Sequence, residues 1–114
     1  MLSRLSIEWI LAKDDVQLIS LLEKEKFWIC LSPEGKLLSS EQFAHLMTEQ
    51  FQKEGARLNF VIGGPEGLPS ALKVKASFLL SLSPLTFTHQ LTRLILLEQL
   101  YRFLEIQKGS AYHK

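Results

Sequence analysis

Cysteine is almost missing from this 114-residue chain: Cys30 stands alone, so no internal disulfide can form. Its place in the apolar run Phe27-Trp28-Ile29-Cys30-Leu31 suits a small buried hydrophobe better than a nucleophile or a ligand. A large charge of either sign is missing too. Lys and Arg total 13 against 12 for Asp and Glu, a net charge of +1, which excludes a protein that coats nucleic acid indiscriminately; any contact with RNA has to be local. There is no uninterrupted apolar run long enough for a bilayer. The leucine-rich region 91–104 is broken by Arg93, Glu98 and Arg102, so it is expected to be a packed helix and not a membrane span. No charged n-region, apolar h-region and cleavage pattern open the sequence, and a cytoplasmic location is expected. Repeats, linkers and low-complexity tracts are also lacking. What is present, 46% hydrophobic and 22% charged residues, is ordinary for one globular domain over residues 1–114. A domain of this size hides a smaller share of its surface than a large one, so cover by a partner subunit is expected.

Hydrophobic periodicity orders the chain as alternating strands and helices. Residues 5–11 alternate polar and apolar side chains for part of their length, which predicts a short strand. Asp15 is placed to cap a helix carrying Val16, Leu18, Ile19 and Leu22 on one apolar stripe, with Lys24 and Lys26 near its C-terminal end. A strand over 27–31 follows, and Ser32-Pro33-Glu34-Gly35 punctuates the chain. Ser39 with Gln42 forms a capping box before a helix bearing Phe43, Leu46, Met47 and Phe51 and ending near Gly55. A third strand at 59–62, a glycine cluster, a short helix and a fourth strand at 78–82 lead to Thr88, which caps a helix running to about Gln107. On that helix Leu91, Leu94, Ile95, Leu97 and Tyr101 are expected to form core and dimer interface. The alternation predicts an α/β protein with a mainly parallel sheet and helices on both faces, whose ligands sit beyond the carboxyl ends of the strands.

One such end is the sequence Gly63-Gly64-Pro65-Glu66-Gly67. Glycine tolerates positive φ and close approach to the main chain, so this predicts a tight loop whose amides could hold a ligand; a plain strand-to-helix turn is the alternative. A phosphate-binding P-loop is excluded because Leu68-Pro69 follows Gly67 where Lys-Ser or Lys-Thr is needed. A dinucleotide fingerprint is excluded by the glycine spacing. A second loop, Leu82-Ser83-Pro84-Leu85-Thr86-Phe87, leaves the fourth strand and leads to His89 and Arg93, one helical turn apart.

Three stretches together resemble the ribosomal RNA large-subunit methyltransferase H family: Ile62-Gly63-Gly64-Pro65-Glu66-Gly67-Leu68, the run from Ser81 to Arg102, and the terminal Tyr112-His113. Residues 31–36 and 39–44 are similar to that family's middle segment. The resemblance implies a SPOUT-class homodimer with a C-terminal deep trefoil knot, and S-adenosyl-L-methionine as methyl donor to N3 of a pseudouridine in large-subunit ribosomal RNA, within the ribosome. By position, cofactor contacts fall on Leu31, Gly63, Leu82, Ser83, Pro84, Leu85, Thr86 and Phe87. With the resemblance, His113 and Tyr112 are expected to act in catalysis from a tail that folds over the partner's pocket, the alternative being a frayed terminus. His89 and Arg93, following the 82–87 loop, are expected to contact RNA phosphate or the partner subunit, the alternative being a structural histidine and a solvated helix charge. No metal is implied. The family's opening strand and helix have no counterpart here, so a second expectation is a shortened knotted dimer that binds cofactor or RNA without turnover. A third is a small α/β interaction module that binds no cofactor.

Overall fold

The apolar run ending at Leu31 becomes the middle of the sheet. In a computed structural model, which describes residues 6–54, 57–63 and 67–109, the chain runs α1 (Asp15–Glu23), β1 (Trp28–Leu37), α2 (Ser40–Glu54), β2 (Asn59–Ile62), α3 (Ser70–Lys75), β3 (Phe78–Ser81) and α4 (His89–Lys108). The three strands are parallel in the order β2-β1-β3. Ile29 stands between Phe60 and Phe78, Cys30 between Val61 and Leu79, and Leu31 between Ile62 and Leu80.

Because strand side chains alternate, these rows sort the core into two halves. Ile29, Leu31, Phe60, Ile62, Phe78 and Leu80 pack on α2 and α4 through Phe43, Met47, Leu96, Leu100 and Phe103. Cys30, Val61 and Leu79 pack on α1 and α3 through Leu22 and Leu72. Both faces of the sheet are therefore covered, which is why its strands are apolar runs and not alternating ones. Each fully buried side chain of this kind contributes about 1.5–3 kcal/mol.

Parallel neighbours cannot be joined by hairpins, so each connection crosses a face of the sheet. The chain moves from β1 outward to β2 and then back across β1 to β3. Two right-handed crossovers in opposite directions must lay their helices on opposite faces. That is where α2 and α3 lie.

Local signals hold at most boundaries. The Ser39 and Gln42 box is closed in both directions: Gln42 N donates to Ser39 Oγ at 3.1 Å and Ser39 N to Gln42 Oε1 at 2.8 Å. Thr88 Oγ1 accepts from Leu91 N, and Gly109 ends α4 in the left-handed conformation, φ 70°. The cap of α1 is Asp14 and not Asp15, its carboxylate accepting from Gln17 N at 2.8 Å. Val16 lies off the buried stripe, 77% exposed.

Three expectations are overturned. The strand predicted at 5–11 is absent over its described part, residues 6–11, where Trp9, Ile10 and Leu11 are exposed; three consecutive apolar residues break the two-residue period there. Among the described residues the sheet therefore has three strands and not four. On α4 the buried line is Leu96, Leu100 and Phe103, while Leu91, Leu94 and Tyr101 are exposed, which removes these three from the core and leaves the expected dimer interface untouched. Leucine occupies so many positions of this helix that it does not mark a face. Phe103, stacked on Phe51 at 6.1 Å, does.

Finally, Pro33 to Gly35 do not end β1. The strand bulges and returns, so that Leu31 and Lys36 both stand opposite Leu80 and Leu37 stands opposite Ser81. This return brings Gly35 onto the backbone of β3. A Cβ at Gly35 would lie 2.6 Å from the carbonyl carbon and oxygen of Leu79.

Gly35→Ala is thus expected to lower stability by about 1–3 kcal/mol, seen as a lower urea midpoint with an unchanged slope. Burial pushes the Cys30 thiol above its ordinary range, with Lys73 pulling the other way. A raised folded value means that the buried thiol's stabilisation is complete below the ordinary thiol range, about 8.5, and is lost as pH rises through the folded value. Urea unfolding of wild type against Cys30→Ala between pH 7 and 10 should show the wild type alone losing stability at the alkaline end.

Candidate functional site at the carboxyl edge of the sheet

All three strands point the same way, so their carboxyl ends share one edge, with neighbouring strands about 4.8 Å apart. The connection from β1 leaves toward the α2 face and the connection from β2 toward the α3 face. Where neighbouring connections leave to opposite faces in this way, open parallel sheets bind ligands. There Leu31, the last residue of β1 paired with β2, stands opposite Ile62, and Gly63 follows Ile62 directly. The segment 82–87 leaves β3 on the far side of β1. Leu31, Gly63 and Leu82, far apart in sequence, therefore stand toward one edge of the paired strands, with Gly63 and Leu82 on opposite sides of β1.

Two of these ends are built alike. Leu31-Ser32-Pro33 and Leu82-Ser83-Pro84 repeat the same three residues, and each serine hydroxyl accepts the amide two positions on: Ser32 Oγ from Glu34 N at 3.3 Å, Ser83 Oγ from Leu85 N at 3.0 Å. Proline fixes the middle of each turn and removes one donor. Ser81 adds a third bond, its Oγ donating to the Ser83 carbonyl at 2.9 Å. Leu82 packs on the α2/α4 half of the core and Phe87 is half-buried, whereas Pro84, Leu85 and Thr86 project outward.

The glycines have a more local reason than ligand approach alone. A Cβ at Gly63 would stand 2.8 Å from the Gly67 carbonyl carbon and 2.9 Å from Leu68 N, so the loop's own backbone requires a residue without a side chain. Gly67 has open space around it and is needed for its φ of +82°. Gly64, Pro65 and Glu66 lie outside the described residues, as do Tyr112 and His113.

His89 opens α4 and is exposed. Arg93, one turn on, stacks over Trp9 with its guanidinium carbon 5.6 Å from the ring centroid. Trp9 is a neighbour that sequence reasoning missed; it belonged to the strand that does not form. Lys73 reaches Glu34 at 3.6 Å, tying α3 to the first Ser-Pro turn. A depression of about 410 Å³ lies elsewhere, against α2, lined by Lys36, Leu38, Gln42, His45, Leu46 and Phe78 among others. It contains none of the strand-end residues, and its mixed charges on an exposed helix face gather no convergent chemistry.

An α/β protein whose parallel strands deliver two Ser-Pro turns and a glycine loop to one edge is, by its fold and site, of the class that binds a ligand beyond its strand ends. A family model described as "Predicted SPOUT methyltransferase" matches residues 3–113, and the chain belongs to that family. It is 54% identical over 112 residues to the Ribosomal RNA large subunit methyltransferase H of Protochlamydia amoebophila, covering 98% of this chain and 79% of that protein. The protein of the same name from Streptococcus equi subsp. zooepidemicus is 47% identical over 105 residues, 92% of this chain and 66% of its own length. That of Carboxydothermus hydrogenoformans is 41% identical over 113 residues, 99% and 71%. The chain thus spans two-thirds to four-fifths of these relatives, and the resemblance read from its motifs holds.

The Trp9 contact is testable. Trp9→Ala and Arg93→Ala should each lower stability by about 0.5–1 kcal/mol, and the double variant should lose no more than either alone, measured by chemical unfolding in a double-mutant cycle.

Proposed function

We propose that this protein transfers a methyl group from S-adenosyl-L-methionine to N3 of a pseudouridine in large-subunit ribosomal RNA. The observation that carries the reading is the register that sets Leu31 between Ile62, next to Gly63, and Leu80, two residues before the 82–87 loop. Membership of the SPOUT methyltransferase family and the names of the relatives supply the chemistry. The residues fit such a cofactor. Leu31 and Leu82 are apolar, Leu85 leaves 70% of its surface open, and the Ser32 and Ser83 turns order main-chain groups after Leu31 and Leu82. Leu31, Gly63 and the run Leu82 to Phe87 would hold it in a single domain whose C-terminal part is tied in a deep trefoil knot.

The bound cofactor supplies an electrophilic methyl on sulfur. N3 of pseudouridine carries an imide proton, so its lone pair becomes available only when that proton leaves. His113 orients the base or takes this proton, and Tyr112 packs against the ring, both reaching the pocket from the partner of a homodimer. The exposed Leu91, Leu94 and Tyr101 of α4 favour such a partner. His89 and Arg93 meet RNA phosphate or the partner subunit. So small a net charge suits a target presented in the shape of the assembled ribosome, and an activity in the cytoplasm is part of the same reading. No helix among the described residues is long and apolar enough to cross a membrane.

Titrating the protein with S-adenosyl-L-methionine by calorimetry, then assaying methyl transfer to ribosomes, tests the reading. Binding followed by transfer is expected. Binding without transfer would favour a knotted dimer that does not turn over, and no binding would remove the cofactor altogether. Deleting residues 112–114 should reduce transfer by at least about 100-fold and leave cofactor affinity unchanged; undiminished turnover would remove the tail from catalysis.

A further inference from the structure

Ser81 is the last residue of β3 and is only 2% exposed. It stands opposite Leu37 where β1 returns over β3, on the same side of the pleat as Leu79. A hydroxyl in such surroundings is destabilising unless it is hydrogen-bonded. Its partner is the carbonyl of Ser83, 2.9 Å away and two residues along the next loop. The same Ser83 accepts the Leu85 amide on its own hydroxyl at 3.0 Å. The peptide at Ser83 is therefore held through its carbonyl from the core and through its side chain from the loop. The two bonds together fix the path from β3 to Leu85. Satisfying a buried polar group and shaping an exposed loop are one interaction here.

We propose that Ser81 is a positioning residue, whose buried hydroxyl presets the 82–87 loop for the methyl donor without touching it. The inference rests on the reading of that loop as a cofactor contact. Its energetic logic is preorganisation: a loop already fixed before binding loses less conformational freedom when the ligand arrives. Ser81 thus acts on the affinity for the methyl donor and leaves the chemical step to other groups.

The substitution that tests it is Ser81→Ala, which removes one oxygen and adds no volume. With S-adenosyl-L-methionine as titrant and ribosomes as acceptor, KM for the methyl donor should rise about three- to tenfold while kcat at saturating donor stays within twofold. In the cofactor-free protein, amide hydrogen exchange at Leu85 should quicken by a similar factor, with the Leu96 and Leu100 amides of α4 unchanged. If wild type binds the donor and Ser81→Ala binds it equally well, the inference is overturned and the proposed activity stands. If wild type does not bind the donor, the proposed activity falls and the affinity role of Ser81 falls with it; exchange at Leu85 still decides whether Ser81 holds the loop. Exchange quickened throughout α4 would mark Ser81 as a general stability residue and overturn its positioning role.

Discussion

The structure depends on the burial of β1 from both sides. Ile29 and Cys30 are wholly inaccessible, and each points into a different half of the core. A strand so enclosed needs neighbours on both edges and helices on both faces. The parallel direction of those neighbours then requires every connection to cross the sheet. From this follow the shared edge toward which the strands run and the opposite placement of α2 and α3. The position of the candidate site is a consequence of how the core is closed.

Around the candidate site the same chemical device recurs. Short serine hydroxyls accept or donate within two residues, prolines restrict the turn, and glycines stand where backbone meets backbone. Such turns keep polar main-chain groups ordered without enlarging the loop. They also join site to core, since Ser81 belongs to the buried sheet and Ser83 to the exposed edge. The link from α3 through Lys73 to Glu34 ties the first turn to the opposite layer in the same way.

Much of this was legible in the sequence, for identifiable reasons. The boundaries of α2 and α4 depend on bonds made within one helical turn, so Ser39, Gln42 and Thr88 announce them. The strand at 59–62 is short, apolar and bounded, and needs no more than that. The assignment at residues 5–11 failed because a strand exists only if an edge receives it, and partial alternation cannot say whether one does. The return of β1 over β3 was hidden for a related reason: Gly35 looks like any turn glycine until Leu79 is seen against it. In the site, the motifs named the residues while the register supplied their placement. The repeated Leu-Ser-Pro was a readable signal that went unused. The contact of Trp9 with Arg93 joins an irregular segment to a helix, and no periodicity describes such a pair.

Gly109 carries a consequence for the end of α4. Its left-handed backbone lets its amide turn back to the carbonyls of Glu105 and Ile106, so the helix stops at a fixed residue. A β-branched side chain tolerates that conformation poorly. With valine there the closing bonds come under strain, and the last turn loses the latch that sets its length.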